Sequence, residues 1–267
     1  MLATNKYINT ALGVIVLTLF QSVDLLDIWR EGIFLSQTEA LATEFPGYVP
    51  PPQRRPIVRT DGSASRGCQE GMFGSISLLV PSDHIGLTVS AHPTFSWYVS
   101  AVPSTTMQFA LVEPGVVKPI LVKQLKVNKS GIIQLDLPEL LSLSVGKEYR
   151  WTVSLICNQK RPSQNIYVRS RIQRVSVKAL EVPELMGNPV SDNLAQISST
   201  TMRDRAILYG QSGIWYDAVS TMSKAYLTNP QDPLNVKYLR LLLNQVGLSS
   251  VANSQLPPLT AQKSAPL

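Results

Sequence analysis

The sequence predicts a mainly β chain with an α-helical end, an antiparallel β-sandwich followed by a small C-terminal helical region, and three observations predict it. Between Ser75 and Lys178 eight short runs rich in β-branched and aromatic residues alternate with turn signals: SISLLVP, GLTVSA, PTFSWYVS, MQFALVE, PILVKQLKV, IIQLDL, EYRWTVSLIC and NIYVRSRIQRVSV. Along the clearest of these runs apolar residues recur at every second position, the period of a strand with one face in a core. After Lys178 the spacing lengthens to three and four, the period of a helix.

Composition sets the limits. A chain of 267 residues holds one large domain or two small ones, and 44% apolar residues is ordinary for a folding chain. No run approaches the ~18 apolar residues of a membrane-spanning helix, so no stable span is expected. Two cysteines and two histidines exclude a self-contained four-cysteine zinc cluster, and neither metal nor cofactor is expected.

The first 42 residues read as a targeting segment. Met1–Asn9 carries one charge, Lys6, and Ala11–Phe20 is apolar apart from one hydroxyl, the charged start and apolar stretch of a secretory signal. The best small-x-small cleavage site, Ala40-Leu41-Ala42, lies well downstream, beyond Asp24, Asp27, Arg30 and Glu31. Two other readings stay open: a start codon placed too early, and an uncleaved amphipathic anchor on Leu25, Leu26, Ile28, Trp29 and Ile33. The expectation is export to the periplasm or cell surface. The segment holds two basic and four acidic residues, so its removal raises the net charge from +6 to +8.

Residues 43–74 form a proline-rich arm. Pro50-Pro51-Pro52 forces an extended segment and Asp61-Gly62-Ser63 supplies a turn. The sandwich follows over 75–178. Its cleanest strand puts Tyr149, Trp151, Val153, Leu155 and Cys157 on one face and Glu148, Arg150, Thr152 and Ser154 on the other. Phe95, Trp97 and Val99 form a second inward row, with Ser96 and Tyr98 outward. The spacing Leu143, Gly146, Tyr149 resembles the tyrosine corner of fibronectin type III and related Greek-key sandwiches, in which a Tyr bonds back to the backbone of the crossing connection. This resemblance makes the sandwich Ig/fibronectin III-like.

The helical region spans 188–252. A first helix starts near Pro189 and Ser191-Asp192 and carries Leu194, Ile197, Met202, Ala206 and Tyr209 up to Gly210. A second begins at about Gly213 with Trp215, Val219, Met222 and Tyr226. A third opens at Asp232-Pro233, an N-cap followed by proline at the first helical position, and ends at Gly247. Ala206, Tyr209, Gly213, Ala218, Met222, Ala225 and Pro230 resemble the small, aromatic and closing-proline positions of one tetratricopeptide (TPR-like) hairpin. A single such unit leaves an apolar face to be covered by the sandwich, a second copy or a partner. Residues 253–267 are polar and proline-bearing, and read as a flexible tail.

Chemistry-bearing residues are sparse. In an exported chain Cys68 and Cys157 read as a disulfide clamping the arm to the sandwich, with ~4–5 kcal/mol from closing a loop of that length. A redox pair, the other reading, ordinarily uses a close CxxC. The only histidines are His84 and His92, and the sequence holds no Gly-x-Ser-x-Gly, P-loop, GxGxxG or HExxH. Asp136, Glu139 and Asp217 are the carboxylates considered for paired acid–base work. No catalytic residue is assigned.

Positive charge concentrates on the sandwich, where twelve Lys/Arg face five Asp/Glu over 75–178. Arg169 and Arg171 alternate outward beside Tyr167, with Arg161 nearby and Lys118, Lys123, Lys126 and Lys129 on the middle hairpin. Arg161, Arg169, Arg171, Lys123 and Lys126 are the candidates for an anionic ligand. The other reading is a solvated face whose Lys and Arg blunt edge strands. Nucleic acid is not an expected partner.

In order along the chain, Arg55-Pro56, Arg59-Thr60, Ser65-Arg66-Gly67-Cys68, Leu78-Leu79-Val80-Pro81, Gly86-Leu87-Thr88, His92-Pro93-Thr94-Phe95-Ser96-Trp97-Tyr98, Gly146-x-x-Tyr149-Arg150-Trp151, Cys157, Ile172-Gln173-Arg174 and Gly213-Ile214-Trp215-Tyr216-Asp217-Ala218 resemble the secreted cyanobacterial family called domain of unknown function 928. The resemblance covers about residues 50–250 and implies export in a cyanobacterium, with both cysteines at expected positions. It implies no activity. The expectation is a non-enzymatic exported binding or scaffolding protein that docks a protein partner, or a second copy, through Trp215, Tyr216, Asp217 and Tyr226. The alternative is an envelope glycan or peptidoglycan module using the basic face.

Overall fold

The computed structural model describes residues 47–52, 60–61, 74–177 and 199–256. All of them lie in one compact unit, Phe45–Leu267. The expected targeting segment 1–42, most of the arm, Cys68, the expected start of the first helix and 257–267 fall outside the described residues.

Each of the eight runs contains a strand. A two-residue strand of the arm, β1 (Thr60–Asp61), precedes them; they are β2 (Ile76–Leu78), β3 (Gly86–Thr88), β4 (Thr94–Val99), β5 (Met107–Val112), β6 (Leu121–Leu125), β7 (Gly131–Asp136), β8 (Glu148–Leu155) and β9 (Ile166–Arg174). The larger sheet has the order β1-β9-β8-β5-β6, with β3 running parallel to β9 beyond β1, and the smaller has the order β2-β4-β7. All other pairings are antiparallel. The helices are α1 (Ser199–Gln211), α2 (Trp215–Thr228), α3 (Pro233–Gln245) and α4 (Ser249–Gln255).

Alternation decides what each sheet buries. Trp151 and Val153 of β8 and Phe109 of β5 meet Phe95 and Trp97 of β4 across the gap between the sheets. The Phe95 centroid lies 4.9 Å from Phe109 and 5.2 Å from Trp151, tilted pairings that aromatic rings favour over flat sandwiches. Trp97 Nε1 donates to Met107 Sδ at 3.2 Å, so its polar edge is not left bare in the core. At the β7–β8 connection Tyr149 Oη accepts the Ser144 backbone N–H at 2.8 Å. Gly146 takes φ +81° there, a conformation that L side chains rarely adopt. The bond back to the crossing backbone is thus present.

Ser96 and Tyr98 point away from the inter-sheet core yet are buried, contrary to the expectation of a solvated outer row. The reason is α2, which lies against β3 and β4. Gln134 Nε2 donates to Ser220 O at 3.2 Å and Lys224 Nζ to Thr94 Oγ1 at 3.3 Å, joining the helix to the outer side of the smaller sheet. Helix α2 therefore lies over β3 of the larger sheet and β4 of the smaller, and one apolar cluster runs from Phe109 through Trp215 and Met222 to Leu243 and Val251.

Helix ends follow local chemistry. Asp232 accepts the Leu234 N–H at 2.9 Å as the N-cap of α3. Gly247, at φ +80°, ends α3: its N–H reaches Asn244 O and the Leu248 N–H reaches Leu243 O, the paired bonds of a Schellman stop. The chain then forms α4 where a tail was expected from residue 253. Ser and Asn make SSVANSQ a weak helix former, but Val251, Ala252 and Leu256 are buried and hold it in place.

The described part of the arm packs on the helices and the β2–β3 connection. Tyr48 is buried, its N–H donates to Gln245 Oε1 at 2.8 Å, and the Val49 N–H donates to Gly210 O at 3.0 Å.

Candidate functional site

Of the four residues expected to meet a partner, the structure buries Trp215 and Tyr216 and leaves Asp217 and Tyr226 partly buried. Trp215 and Tyr216 open α2 and are essentially unexposed. Trp215 Nε1 donates to Leu79 O at 2.8 Å, and its ring meets Tyr48 edge-on with centroids 4.9 Å apart. Tyr216 Oη accepts from Trp151 Nε1 at 2.7 Å and donates to Arg171 O at 2.9 Å. Burial pushes this phenol well above its ordinary range, against the hydrogen bond from Trp151. Gly86 leaves room for it: a Cβ there would stand 2.8 Å from the Tyr216 ring. Tyr226 is half-buried, with its hydroxyl 3.4 Å from Gln255 O. As contact surface for a partner, Trp215 and Tyr216 are inaccessible because they fill the join between helix and sheets.

Asp217 sits beside them in the first turn of α2. Its Oδ2 accepts the Val89 N–H at 3.3 Å, just past the end of β3. Burial pushes its carboxyl up to about 6, with the Thr88 hydroxyl and the N–H groups of Val89, Asp217 itself and Ser90 working the other way. Nearby Tyr209 is pushed up to about 12, by burial first and then by the Asp217 charge, which outweigh the opposing charge of Arg205. These groups belong to the joint.

Both histidines are engaged in the structure. His84 Nδ1 faces Asp83 Oδ1 at 2.7 Å, and its Nε2 faces Tyr48 Oη at 2.7 Å. That order resembles a proton relay, but a relay activates a nucleophile only where a substrate can reach it. Tyr48 and His84 are 5% and 1% exposed, so the chain of bonds ties the arm to the β2–β3 connection. His92 Nδ1 donates to Leu141 O at 2.9 Å. Among the described residues no cluster of three or more His, Cys, Asp or Glu is placed to hold a metal ion. Asp136 faces Lys224 at 3.4 Å and is hydrogen-bonded by the Thr94 hydroxyl. Cys157 follows β8, half-buried against the core, and is not a free thiol.

The basic residues divide between two places. Register puts Val153, Trp151 and Tyr149 of β8 beside Val168, Ser170 and Ile172 of β9 on the core side. Arg150, Thr152 and Ser154 therefore share the opposite face with Arg171, Arg169 and Tyr167. Arg150 and Arg171 stand directly opposite each other, and Arg171 Nη1 is 2.6 Å from Glu148 Oε1. Arg169 lies over the Tyr167 ring, 5.0 Å from its centroid, and its Nη2 is 3.3 Å from the Tyr167 hydroxyl. A groove lined by Glu113, Pro114, Lys147, Glu148 and Arg171 borders this face. Arg161 is exposed in the β8–β9 connection. Lys123, by contrast, pairs with Phe109 and so projects on the other side of the sheet, and Lys126 lies beyond the end of β6. The five anionic-ligand candidates do not form one patch.

Arg150 was missed by sequence reasoning as part of the site. Its alternation placed it outward, but only the β8–β9 register aligns it with Arg171. The Arg203 network was missed as well: Arg203 Nη1 donates to Asp232 Oδ2 at 2.6 Å and to Asn235 Oδ1 at 3.0 Å, joining α1 to the start of α3. Burial would raise the Asp232 carboxyl, yet the Leu234 N–H and Arg203 outweigh it and hold the group below its usual range.

Two sheets packed face to face, a helix laid against a strand of each and an arginine-bearing outer face on the larger define an α+β protein. Residues 61–256 match the Domain of Unknown Function (DUF928), and the chain belongs to that family. No curated protein matches the chain.

Proposed function

We propose that this chain is a non-enzymatic exported binding module that takes an anionic glycan of the cell envelope on the outer face of its larger sheet. One observation carries the reading: Arg150 and Arg171 stand side by side on that face, next to the Arg169–Tyr167 stack. Like charges directly opposite each other across strands cost stability, and Glu148 sets one carboxylate charge against two guanidinium charges. An acidic polymer would relieve the remainder, with guanidinium forks binding carboxylate or sulfate and the Tyr167 ring offering an apolar face to a sugar. Titration of polygalacturonate into the protein tests this, with neutral dextran as control. Arg169→Glu with Arg171→Glu is expected to weaken polygalacturonate binding about tenfold or more, and binding should fall as salt rises. Affinity equal to wild type in the double variant would exclude the face.

We read the two sheets as an Ig/fibronectin type III sandwich. The orders β2-β4-β7 and β9-β8-β5-β6, the parallel β3–β9 pairing and the Tyr149 bond support it. The α1–α2 pair is read as a TPR-like hairpin, supported by burial of Ala206, Tyr209, Ala218, Met222 and Ala225 and by Gly213 at φ +75°. Export and a Cys68–Cys157 bond complete the proposal. Intact-mass analysis of protein recovered from the culture medium or periplasm should give a chain lacking about the first 42 residues and two mass units lighter than its reduced form. Full-length protein confined to the cell interior would refute export.

A further inference from the structure

We infer that the β5–β6 hairpin is a docking element for an anionic lipid bilayer. The hairpin projects at the edge of the larger sheet, where β6 pairs only with β5 among the described residues. Its turn runs through Pro114-Gly115-Val116-Val117-Lys118-Pro119, and Gly115 to Pro119 are exposed. Val117 is 100% exposed and Val116 50%, and a Cβ on Gly115, at φ +85°, would meet nothing within 4 Å. The tip therefore stands clear of the body, with two adjacent valines at its apex. Folding does not need them there.

Charge completes the pattern. Lys118, Lys123, Lys126 and Lys129 are all exposed, and no Asp or Glu occurs between Glu113 and Asp136. Glu113, which opens the turn, is held by Lys147 at 2.6 Å. An apolar apex with Lys118 beside it and Lys123 farther back along β6 matches the depth profile of an anionic membrane surface, with apolar groups at the acyl boundary and ammonium groups among the headgroups. An acidic protein surface would satisfy the lysines, but a convex tip with both valines outermost gives it no complementary face to cover. Edge protection explains lysines on β6 and does not explain the valines. No helix among the described residues is long and apolar enough to cross a membrane, so contact through the hairpin is peripheral. The site is separate from the Arg150–Arg171 face: Lys123 projects from the opposite side of the sheet.

Sedimentation of the full chain with extruded vesicles tests the inference. Binding is expected to vesicles of phosphatidylcholine containing phosphatidylglycerol and to be much weaker with phosphatidylcholine alone. Lys118→Gln with Lys123→Gln should lower the partition coefficient about 30-fold, at roughly fivefold for each cation near the surface. Val117→Asp should lower it as well, while Arg169→Glu with Arg171→Glu should retain binding, which separates this site from the glycan face. Insertion is read directly in Val117→Trp, whose added emission should move to shorter wavelength on anionic vesicles. Sedimentation indifferent to phosphatidylglycerol, hairpin variants that bind like wild type, or an added indole emission that vesicles leave unmoved would each overturn it.

Discussion

Trp215→Ala is expected to lower the unfolding free energy by about 3–5 kcal/mol, the cost of emptying a fully buried large aromatic site. Tyr216→Phe keeps the ring and loses only the hydroxyl, so it isolates a different cost. It leaves Trp151 Nε1 without its acceptor and Arg171 O without its donor, at about 1–3 kcal/mol for each buried group left unpaired. Urea denaturation measures both. The informative readout is the shape of the transition: near-ultraviolet and fluorescence signals of Trp97 and Trp151 should be lost together with the far-ultraviolet helix signal, in wild type and in both variants. A separate helical transition that leaves the sheet tryptophans undisturbed would mean that the helices are an independent unit, contrary to the single core. Pairing Tyr216→Phe with Trp151→Phe adds a further check. If the bond between them is the coupling, the double variant costs less than the two single changes added together.

That shared core also explains what could be read from sequence and what could not. Period-2 alternation is a local property, so every one of the eight strand runs was visible, down to the inward row Tyr149, Trp151, Val153 and Leu155. The stop at Gly247 was visible for the same reason, because this glycine supplies positive φ where the backbone must turn away; the first helix, expected to end at Gly210, runs to Gln211 and the positive φ falls at Gly213. Register is not local. Nothing in the sequence aligns Arg150 with Arg171, or sets Lys123 on the side of the sheet opposite Arg169. Nor does an amphipathic stripe announce its cover: Trp215, Val219 and Met222 show that α2 needs an apolar partner, and the partner turned out to be the chain's own sheets. Ser96 and Tyr98 were misread for the complementary reason, since alternation marks them outward without revealing that a helix closes over them. Tyr48 sits in a proline-rich stretch whose composition reads as linker, and only its contacts with His84 and Trp215 make it core.

Asp217→Asn is expected to stabilise the protein at neutral pH and to leave it nearly unchanged in mild acid. The carboxyl has an ordinary value of 3.8 and is raised to about 6 in the folded chain, with burial as the largest cause. Between those values the folded state holds a proton that the unfolded state has released. Stability from this group is therefore fully present below about pH 4, falls as pH rises through 6, and is absent above about 7. A shift of about two units corresponds to about 3 kcal/mol at most. The Asn oxygen can still accept from Val89 N–H and Thr88, but the favourable charge in the first turn of α2 is lost. The net gain at pH 7.5 is thus expected at about 1–3 kcal/mol. The titratable or charged groups around the site are Tyr209 and Arg205 on α1 and Arg174 of β9, whose Nε lies 3.4 Å from Val89 O. Arg205 could modulate the result, since its Nη1 is enclosed without a hydrogen-bond partner among the described residues. Arg205→Gln in the Asp217→Asn background separates that influence from the carboxyl's own. Urea midpoints of wild type and Asp217→Asn measured from pH 4 to 8 should diverge across pH 4–6.5, with the variant higher at the alkaline end. Parallel curves would show that the carboxyl keeps its ordinary affinity for protons, and a variant that is weaker throughout would show that the Asp217–Val89 contact needs a full negative charge.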